Sequence, residues 1–543
     1  MSQLQSTVGP RRLAVGAVGA MLAVVGSFAP WAAFFFGYAG KVTLSGFPGG
    51  ARLFCVVLVV VALGLVVDAP GRGAAGTAGA IGILLIAGGN LLGIAYRGGG
   101  LGAVAWGAWV TVVGGLLMLA AFLSFEPDAP VSLRMGDRVP PLQIVIVAAV
   151  PAAILSLVVW GLRINESSRF LSFLAFLAVG TVVLQKVGVV ALCQDVLARY
   201  RPAAIALGLA AATIFPFTQH GSAYWLRVFA SVGVFACAAI GLNVVVGLAG
   251  LLDLGYIAFF GTGAYIGGLL ANARLTTVHV HLPFVVVIFV GASVAGLVGL
   301  FVGAPTLRLR GDYLAIVTLG FGEIFRITAN NWDGLTRGPN GIAGIPDLKA
   351  GSFNLGDAHK VLGVGLPSFA NYYFVELILL VAVVIVFTRL NDSRIGRAWV
   401  AIREDETAAA AMGVNTIRLK LLAFATGAFL AGAAGTINAH VTTQVSPDSY
   451  TFLESILLVA AVVLGGMGTV PGALLGSTIL FVIPEKLRSF QDKRLLFFGL
   501  ALIIMMRFRP EGIVASRRRQ RELHDTSTSG AVGAPPGAPV ASV

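Results

Sequence analysis

Charged side chains are scarce in this sequence, and their densest group lies in the segment 389–420. Four consecutive alanines, residues 408–411, favour a helix there, and Gly413 followed by Asn415 is a helix-stop signal. The pattern predicts a short charged helix over residues 403–415. Two roles fit such a helix. It is either a solvated helix at a surface or a docking element on which a soluble partner pushes.

A second set of polar residues lies inside long apolar stretches. Glu323 and Arg326 are three positions apart, so on a helix they share a face and can neutralise each other or line a path. Asn243, among Val and Leu, can bond a neighbouring helix or a substrate. The glycine-rich run that contains Gly261 and Tyr265 fits close helix packing or irregular backbone along a path. These five residues are the candidate translocation path.

The composition indicates the environment that surrounds these groups. Apolar residues make up 57% of the chain, charged residues 11%, and the mean hydropathy is +0.91. A soluble domain carries roughly 25% charged residues, so most of this surface must face lipid. The net charge of +13 comes from inter-helix loops and a basic tail, which suit anionic membrane lipid and argue against nucleic-acid binding. Three scattered cysteines and an isolated H-x-H predict no metal or redox site.

The elements that position the charged groups are transmembrane helices. About 20 apolar residues are needed to cross the hydrocarbon, and counting on that basis predicts an all-α polytopic membrane protein with about 16 transmembrane helices (14–16). The bias of Lys and Arg places both termini and the segment 389–420 in the cytoplasm and the loop 331–370 outside. The predicted spans include 13–36, 170–192 and 253–272.

Three regions are predicted along the chain. Residues 1–227 form an N-terminal membrane extension of about seven helices, to which the sequence assigns no role. Residues 228–515 form the second membrane domain, which contains the charged segment. Residues 516–543 form a basic, low-complexity tail whose Ser, Gly, Pro and Ala cannot build a core, so we expect disorder there.

The second membrane domain resembles a known family. The charged segment resembles the "EAA" loop of permease subunits in binding-protein-dependent ABC importers, in particular the M-type permeases for branched-chain amino acids. Five further segments resemble this family in order and spacing, and the similar region that contains them, from about 228 to 515, covers about half of the chain. They are GLNVVVGLAGLLDLGYIAFFGTGAYIGG (241–268), LRLRGDYLAIVTLGFGEIFRI (307–327), GPNGIAGIP (338–346), VVLGGMGTVPGALLG (462–476) and MRFRPEGI (506–513).

The resemblance implies a transport mechanism rather than an enzyme. The predicted 403–415 helix would insert into a cleft on a cytoplasmic ATPase and convert closure of that ATPase into rocking of the membrane helices. The chain has no G-x-x-x-x-G-K-[ST], so it would bind no cofactor itself, and ATP would be held by the partner. The residues implied in this coupling loop are Arg397, Arg403, Glu404, Asp405, Glu406, Ala409, Gly413 and Asn415.

The implied partners are two cytoplasmic ABC ATPase subunits, an H-type permease subunit, an extracytoplasmic substrate-binding protein and membrane lipid, with no nucleic acid. The implied location is the bacterial plasma (inner) membrane. Import of urea or short amides is an alternative within the same class. An ion-coupled secondary transporter would predict coupling-ion carboxylates and inverted repeats, and a membrane enzyme would need a catalytic constellation. The sequence shows none of these clearly.

Overall fold

The computed structural model describes most of both membrane regions. Nine helices among the described residues are long and apolar enough to cross a bilayer, and three more apolar helices have 10–17 residues. The chain is therefore an all-α polytopic membrane protein. The apolar stretches at 52–67 and 494–508 are also counted among the predicted spans; the first and most of the second lie outside the described residues, as does the tail 516–543. The described residues are 10–35, 38–43, 72–97, 100–122, 140–164, 167–219, 222–271, 282–306, 312–350, 353–361, 364–486, 499, 503, 507 and 512–514.

The chain divides into two compact units, residues 1–215 and 216–543. The elements up to the boundary are α1 (Pro10–Phe28), β1 (Pro30–Phe35), β2 (Tyr38–Thr43), α2 (Arg72–Arg97), α3 (Trp106–Phe122), α4 (Pro140–Arg163), α5 (Ser167–Lys186), α6 (Val189–Arg199) and α7 (Arg201–Thr218), which contains the boundary. Small residues bring α1 against α3, where a Cβ on Gly19 would lie 2.8 Å from the carbonyl oxygen of Gly114.

Three predicted spans differ from the observed helices. The span 13–36 ends at Phe28, because Pro30 cannot donate a helical hydrogen bond and starts a strand that pairs with β2. The span 170–192 is interrupted after Lys186, where Gly188 adopts φ 86°. The span 253–272 starts late, because α8 ends in a π-helical turn and an irregular segment precedes the next helix at Ile257.

The second unit contains the remaining helices and several short strands. They are α8 (Ala223–Asn243) with the π-helical turn Val244–Leu248, α9 (Ile257–Ala271), α10 (Phe284–Thr306), α11 (Asp312–Asn331), α12 (Asp333–Thr336), β3 (Ile342–Ala343), β4 (Lys349–Ala350), β5 (Phe353–Asn354), β6 (His359–Val361), β7 (Val364–Leu366), α13 (Ser368–Asp392), α14 (Arg394–Glu404), α15 (Glu406–Ala411), α16 (Thr416–Thr442), β8 (Gln444–Val445), α17 (Phe452–Gly465) and α18 (Val470–Lys486).

Helix α16 forms the centre of this unit, since it packs against α8, α9 and α10. A Cβ on Gly263 of α9 would collide with the carbonyl oxygen of Gly432, so glycine at that position permits the close crossing. Two buried hydroxyls bond across the same interfaces. Tyr256 donates to the Gly427 carbonyl at 2.7 Å, and Thr436 donates to that of Gly263 at 3.0 Å. The core is thus a small-residue helix bundle with side-chain hydrogen bonds between its helices.

The polar loop predicted at 331–370 is ordered over most of its length. It forms α12, a 3₁₀ turn and two small hairpins, β4–β5 and β6–β7. Strand β3 pairs with β8, which follows the central helix. Tyr372 of α13 donates to Asp347 at 2.7 Å and so ties this layer to a membrane helix. The described part of this loop is therefore joined to β8 and to α13 within the second unit.

Candidate functional site

The charged segment forms two helices rather than the single predicted helix over 403–415. Asp405 separates α14 from α15, because its carboxylate accepts hydrogen bonds from the backbone N–H groups of Thr407 and Ala408 at 2.8 and 2.9 Å. The predicted stop is observed, with Gly413 at φ 85°. Asn415 then caps α16 by accepting from the N–H of Arg418 at 3.1 Å. The alanines alone did not reveal that Asp405 would start a new helix.

Helix α14 is fixed to the membrane helices by an aromatic anchor. Trp399 is fully buried and donates its indole N–H to the Leu419 carbonyl at 2.7 Å. Ile402, one turn further, is buried as well. Sequence reasoning missed this anchor, although Ile395, Trp399 and Ile402 repeat at the spacing of an apolar helix face.

Arg403 connects the end of α14 to the π-helical turn that follows α8. Its guanidinium donates to the Gly247 carbonyl at 2.7 Å. The aliphatic part of the side chain lies against Gly250, which has φ 70° and where a Cβ would collide with the arginine. The contact joins residues 156 positions apart. Arg403 is therefore a link within the chain and not a solvated flank of the loop.

An ion pair between a buried lysine and a partly exposed glutamate holds α15 against α16. The ammonium of Lys420, whose residue is 5% exposed, lies 2.6 Å from a carboxylate oxygen of Glu406, whose side chain is 33% exposed. Removing Glu406 would leave the buried charge of Lys420 without this partner, which is unfavourable. Glu406 therefore positions α15, and Lys420 is a partner that the sequence analysis did not identify.

Asn243 extends the Arg403 contact from the end of α8 to the turn between α17 and α18. Its side chain is fully buried; its amide donates to the Thr469 carbonyl at 3.0 Å and accepts from the N–H of Gly468 at 2.7 Å. Both polar ends of the side chain are occupied, so Asn243 bonds a neighbouring segment, one of the two roles that its sequence context allows. It lies with the Arg403 contact, not with the other four candidate path residues.

Ala409, one of the residues implied in the coupling loop, does not lie on the outer surface of α15. It is only 5% exposed, so it packs within the chain and is not available to a partner. The exposed residues of the two helices and the following turn are Arg394, Arg397, Glu404, Asp405, Thr407, Ala408, Ala410, Ala411, Met412 and Gly413. Met412 is 85% exposed, an apolar tip that the charge pattern did not predict.

The remaining candidate path residues lie around an aromatic cluster. The rings of Tyr265, Phe325 and Tyr450 have centroids 6.1–6.3 Å apart, and Gly261 makes room for Phe325. The Tyr265 hydroxyl is buried with no hydrogen-bond partner within the described part of the chain. An unsatisfied hydroxyl in such a place is available to a passing polar group.

The predicted pair of opposite charges forms beside this cluster. The Arg326 guanidinium donates to Glu323 at 3.0 Å, and it lies 4.0 Å from Asp448, which follows the central helix. Both members of the pair are partly exposed. In an apolar helix, partly exposed charges are expected where a path or another protein subunit covers them. The structure thus brings Gly261, Tyr265, Glu323 and Arg326 together.

The carboxyl of Asp253, in the segment that follows the π-helical turn, should make the stability of the fold depend on pH. It lies before α9, outside the membrane-spanning helices, and accepts from the N–H of Gly255 at 3.0 Å. Burial raises the pKa of Asp253 from 3.8 to about 7. Because the folded-state pKa is raised, the protonated carboxyl of Asp253 contributes fully to the stability of the fold below pH about 4. This contribution is lost as the pH rises through about 7.

We expect Asp253→Asn to flatten that pH dependence. The wild-type melting temperature in detergent should fall by several degrees between pH 6 and pH 8, and the variant should lose most of that fall. Glu404→Gln, which changes an exposed carboxylate of α14, is the matched control and should retain the wild-type slope. Equal slopes for Asp253→Asn and wild type would contradict the assignment of the titration to Asp253.

The turn at Gly413 allows a second, smaller prediction. In this left-handed backbone conformation most residues with a Cβ are less stable by about 1–2 kcal/mol, and asparagine is the one that tolerates it better. No heavy atom lies within 4 Å of a Cβ placed there, so crowding adds nothing among the described residues. Gly413→Ala should lower the melting temperature by a few degrees and Gly413→Asn by less. An equal loss for both would contradict the backbone explanation.

The described residues contain no group of three or more His, Cys, Asp or Glu side chains that could hold a metal ion. What the site offers is mechanical and electrostatic. Two short helices present an exposed face, and a chain of contacts through Arg403 and Asn243 joins them to the ends of α8, α17 and α18. The geometry suits the transmission of movement.

Comparison with known proteins agrees with this arrangement. Residues 224–506 match the family described as branched-chain amino acid transport system / permease component. The high-affinity branched-chain amino acid transport system permease protein LivM of Escherichia coli (strain K12) is 40% identical over 311 residues, 55% of this chain and 71% of that protein. The probable branched-chain amino acid transport permease protein LivM of Methanocaldococcus jannaschii is 24% identical over 305 residues, 51% and 84% of the two chains.

A second type of permease is also similar. The high-affinity branched-chain amino acid transport system permease protein LivH of Escherichia coli (strain K12) is 27% identical over 286 residues, 52% of this chain and 91% of that protein. No solved structure matches the chain. The family match covers more than half of the chain and includes the coupling segment and the aromatic cluster. The chain therefore belongs to the permease-component family of branched-chain amino acid transport systems, as a LivM-like, multi-pass membrane transport protein.

Proposed function

We propose that this chain is the permease subunit of a binding-protein-dependent ABC importer that moves branched-chain amino acids across the bacterial inner membrane. A separate subunit binds and hydrolyses the ATP, so the chain itself needs no cofactor. The observation that carries the proposal is the pair of short helices α14 and α15. They combine an exposed outer face with a charged, buried connection to the membrane helices through Arg403 and Lys420.

The proposed complex contains a second, H-type permease, two cytoplasmic ABC ATPases and an extracytoplasmic substrate-binding protein. The similarity of this chain to LivH as well as LivM supports pairing of two related permeases around a pseudo-twofold axis. Partly exposed charges at Glu323 and Arg326 support a partner or path on that face of α11.

We place about 16 helices across the membrane, with both termini in the cytoplasm. The contact groups support this orientation. Arg403 belongs to the segment 389–420, which is predicted to be cytoplasmic. It lies together with Gly247, Asn243 and residues 466–469, at the ends of the predicted spans 228–247 and 452–468 that face the same side. Strands β3 and β8 both belong to segments predicted to be external, and they pair. Residues 1–227 add a membrane unit whose role we leave unassigned.

In the proposed mechanism, closure of the ATPases moves α14 and α15 together as one unit. Arg403 passes this movement to the π-helical turn, and Asn243 passes it to the turn between α17 and α18. The candidate path beside Tyr265 offers few polar groups, which suits a substrate with an apolar side chain at a weak, transient site. Selectivity then resides mainly in the binding protein.

Reconstituted vesicles test the proposal. Radiolabelled leucine should accumulate only when ATP is inside and the binding protein outside, and unlabelled isoleucine or valine should compete. Uptake driven by an ion gradient alone would overturn the proposal in favour of a secondary transporter. Competition by urea or acetamide, without competition by valine, would instead assign the importer to urea and short amides.

A further inference from the structure

The aromatic cluster of the candidate path contains one ring that does not come from a membrane helix. Tyr265 lies on α9 and Phe325 on α11, whereas Tyr450 lies in the short segment 443–451 between α16 and α17. The centroid of the Tyr450 ring is 6.1 Å from that of Tyr265 and 6.3 Å from that of Phe325. Tyr450 is only 2% exposed, so a residue of a connecting segment fills the space between two membrane helices.

A glycine on α9 makes room for the Tyr450 ring. A Cβ on Gly261 would lie 2.6 Å from the ring of Phe325 and 3.1 Å from Cγ of Tyr450, so a larger residue would push the two rings away. Phe260, the preceding residue of α9, also faces Tyr450, with the ring centroids 6.2 Å apart. Aromatic rings from two helices therefore enclose Tyr450 where the candidate path passes Tyr265.

The segment that carries Tyr450 combines local strain with a weak ion pair. Thr443, its first residue, has φ 56°, a left-handed conformation that is unfavourable for a β-branched side chain. Asp448 lies 4.0 Å from the Arg326 guanidinium, and its side chain is 81% exposed. An exposed ion pair of this kind contributes little to stability. These features suit a segment that changes position.

Helix α17 connects Tyr450 to the contacts of the coupling helices. The helix begins at Phe452, directly after the segment, and ends at Gly465. The turn that follows it contains residues 468 and 469, whose backbone groups bond the side chain of Asn243. The 14 residues of α17 span about 21 Å at 1.5 Å per residue. A displacement of this turn can therefore reach Tyr450 along one continuous helix.

We infer that Tyr450 is the gate residue of the candidate path. Its ring closes the path between α9 and α11, and a movement of α17 withdraws it. The Tyr265 hydroxyl, which is buried and has no hydrogen-bond partner among the described residues, becomes accessible to a passing polar group when the Tyr450 ring leaves. The inference rests on the proposed function, because a gate residue requires a transport path.

The test measures passive efflux of radiolabelled leucine from vesicles that contain the full-length chain with the subunits that copurify with it, without ATP or binding protein. Wild type should retain the leucine. Tyr450→Ala removes the ring and should raise the efflux rate roughly tenfold or more, which corresponds to a barrier lower by about 1.4 kcal/mol. Tyr450→Phe keeps the ring and should retain leucine. Tyr313→Ala, at a tyrosine of α11 that is 71% exposed, is the matched control and should also retain it.

Tyr450→Leu keeps an apolar side chain and so loses less packing than the alanine variant, and it should leak at an intermediate rate. Melting temperatures of the same preparations show which variants fold. Efflux from the folded Tyr450→Ala or Tyr450→Leu variant that is no faster than from Tyr313→Ala would overturn the inference. So would a leak through Tyr450→Phe as fast as through Tyr450→Ala.

ATP-driven uptake by wild type, measured with the binding protein, separates the gate assignment from the proposed function. Normal uptake by wild type, together with tight vesicles for the alanine and leucine variants of Tyr450, overturns only the gate assignment. A leak confined to those two variants, without any ATP-driven uptake of branched-chain amino acids by wild type, supports the gate assignment and contradicts the proposed function.

Discussion

Replacing Arg403 with alanine should lower ATP-driven uptake at least tenfold while the chain still folds and assembles. The guanidinium is the charged donor between α14 and the carbonyl of Gly247. A hydrogen bond from a charged group contributes about 1.5–3 kcal/mol, and a loss of about 1.4 kcal/mol is a tenfold change in an equilibrium. Uptake into reconstituted vesicles, with co-purification of the ATPase measured on the same sample, checks the result.

Two companion variants make the Arg403 prediction specific. Arg394→Ala removes an exposed arginine at the start of the same helix and should transport like wild type. Arg403→Lys keeps a cationic donor and should recover part of the uptake, because a lysine ammonium can still reach a carbonyl but lacks the planar fork of arginine. Normal uptake by Arg403→Ala would contradict a coupling role. Loss of ATPase co-purification would instead assign Arg403 to docking.

The Arg403 contact matters because it ends on an irregular piece of backbone. Residues 244–248 form a π-helical turn, a structure that is rare and is often found at functional sites. Asn243 immediately precedes this turn and holds residues 468 and 469. A displacement of Gly247 would therefore act on α8 and on the α17–α18 turn together. The coupling helices are joined to three membrane helices through two side chains.

Local signals in the sequence predicted the local parts of this arrangement. The stop at Gly413 and the pair between Glu323 and Arg326 depend on residues within four positions of one another, and each forms as expected. Asn415, predicted only as part of the stop, also caps the start of the next helix. The spans 13–36 and 253–272 were predicted too long, because apolar composition alone does not show that Pro30 starts a strand or that a π-helical turn precedes α9.

The contacts that hold the site together could not be predicted from a single sequence. Arg403 and Gly247 are 156 positions apart, and Asn243 and Thr469 are 226 apart, so no periodicity relates them. The orientation of Ala409 also depends on tertiary packing. In a run of four alanines every face of a helix looks the same, and only the neighbours determine which alanine is buried. The ion pair between the buried Lys420 and Glu406 was missed for the same reason.

Ala408, rather than the buried Ala409, offers the sharpest test of docking. Ala408 is exposed on α15, one turn before the exposed Met412. We expect Ala408→Arg to abolish co-purification of the ATPase, because a long charged side chain on this short helix would prevent its insertion into a cleft. The chain itself should keep its melting temperature, since substitutions at exposed positions usually change stability by about 0.5 kcal/mol or less.

Two matched alanine-to-arginine changes separate docking from folding. Ala358→Arg makes the same chemical change at an exposed position of the loop predicted to be external and should leave ATPase binding intact. Ala409→Arg forces a large cation into a buried position, so it should lower the melting temperature before any effect on binding can be judged. If Ala408→Arg retained stoichiometric ATPase, the exposed face of α15 would not be the docking surface. The buried links through Arg403 and Lys420 would then serve only to brace a solvated loop.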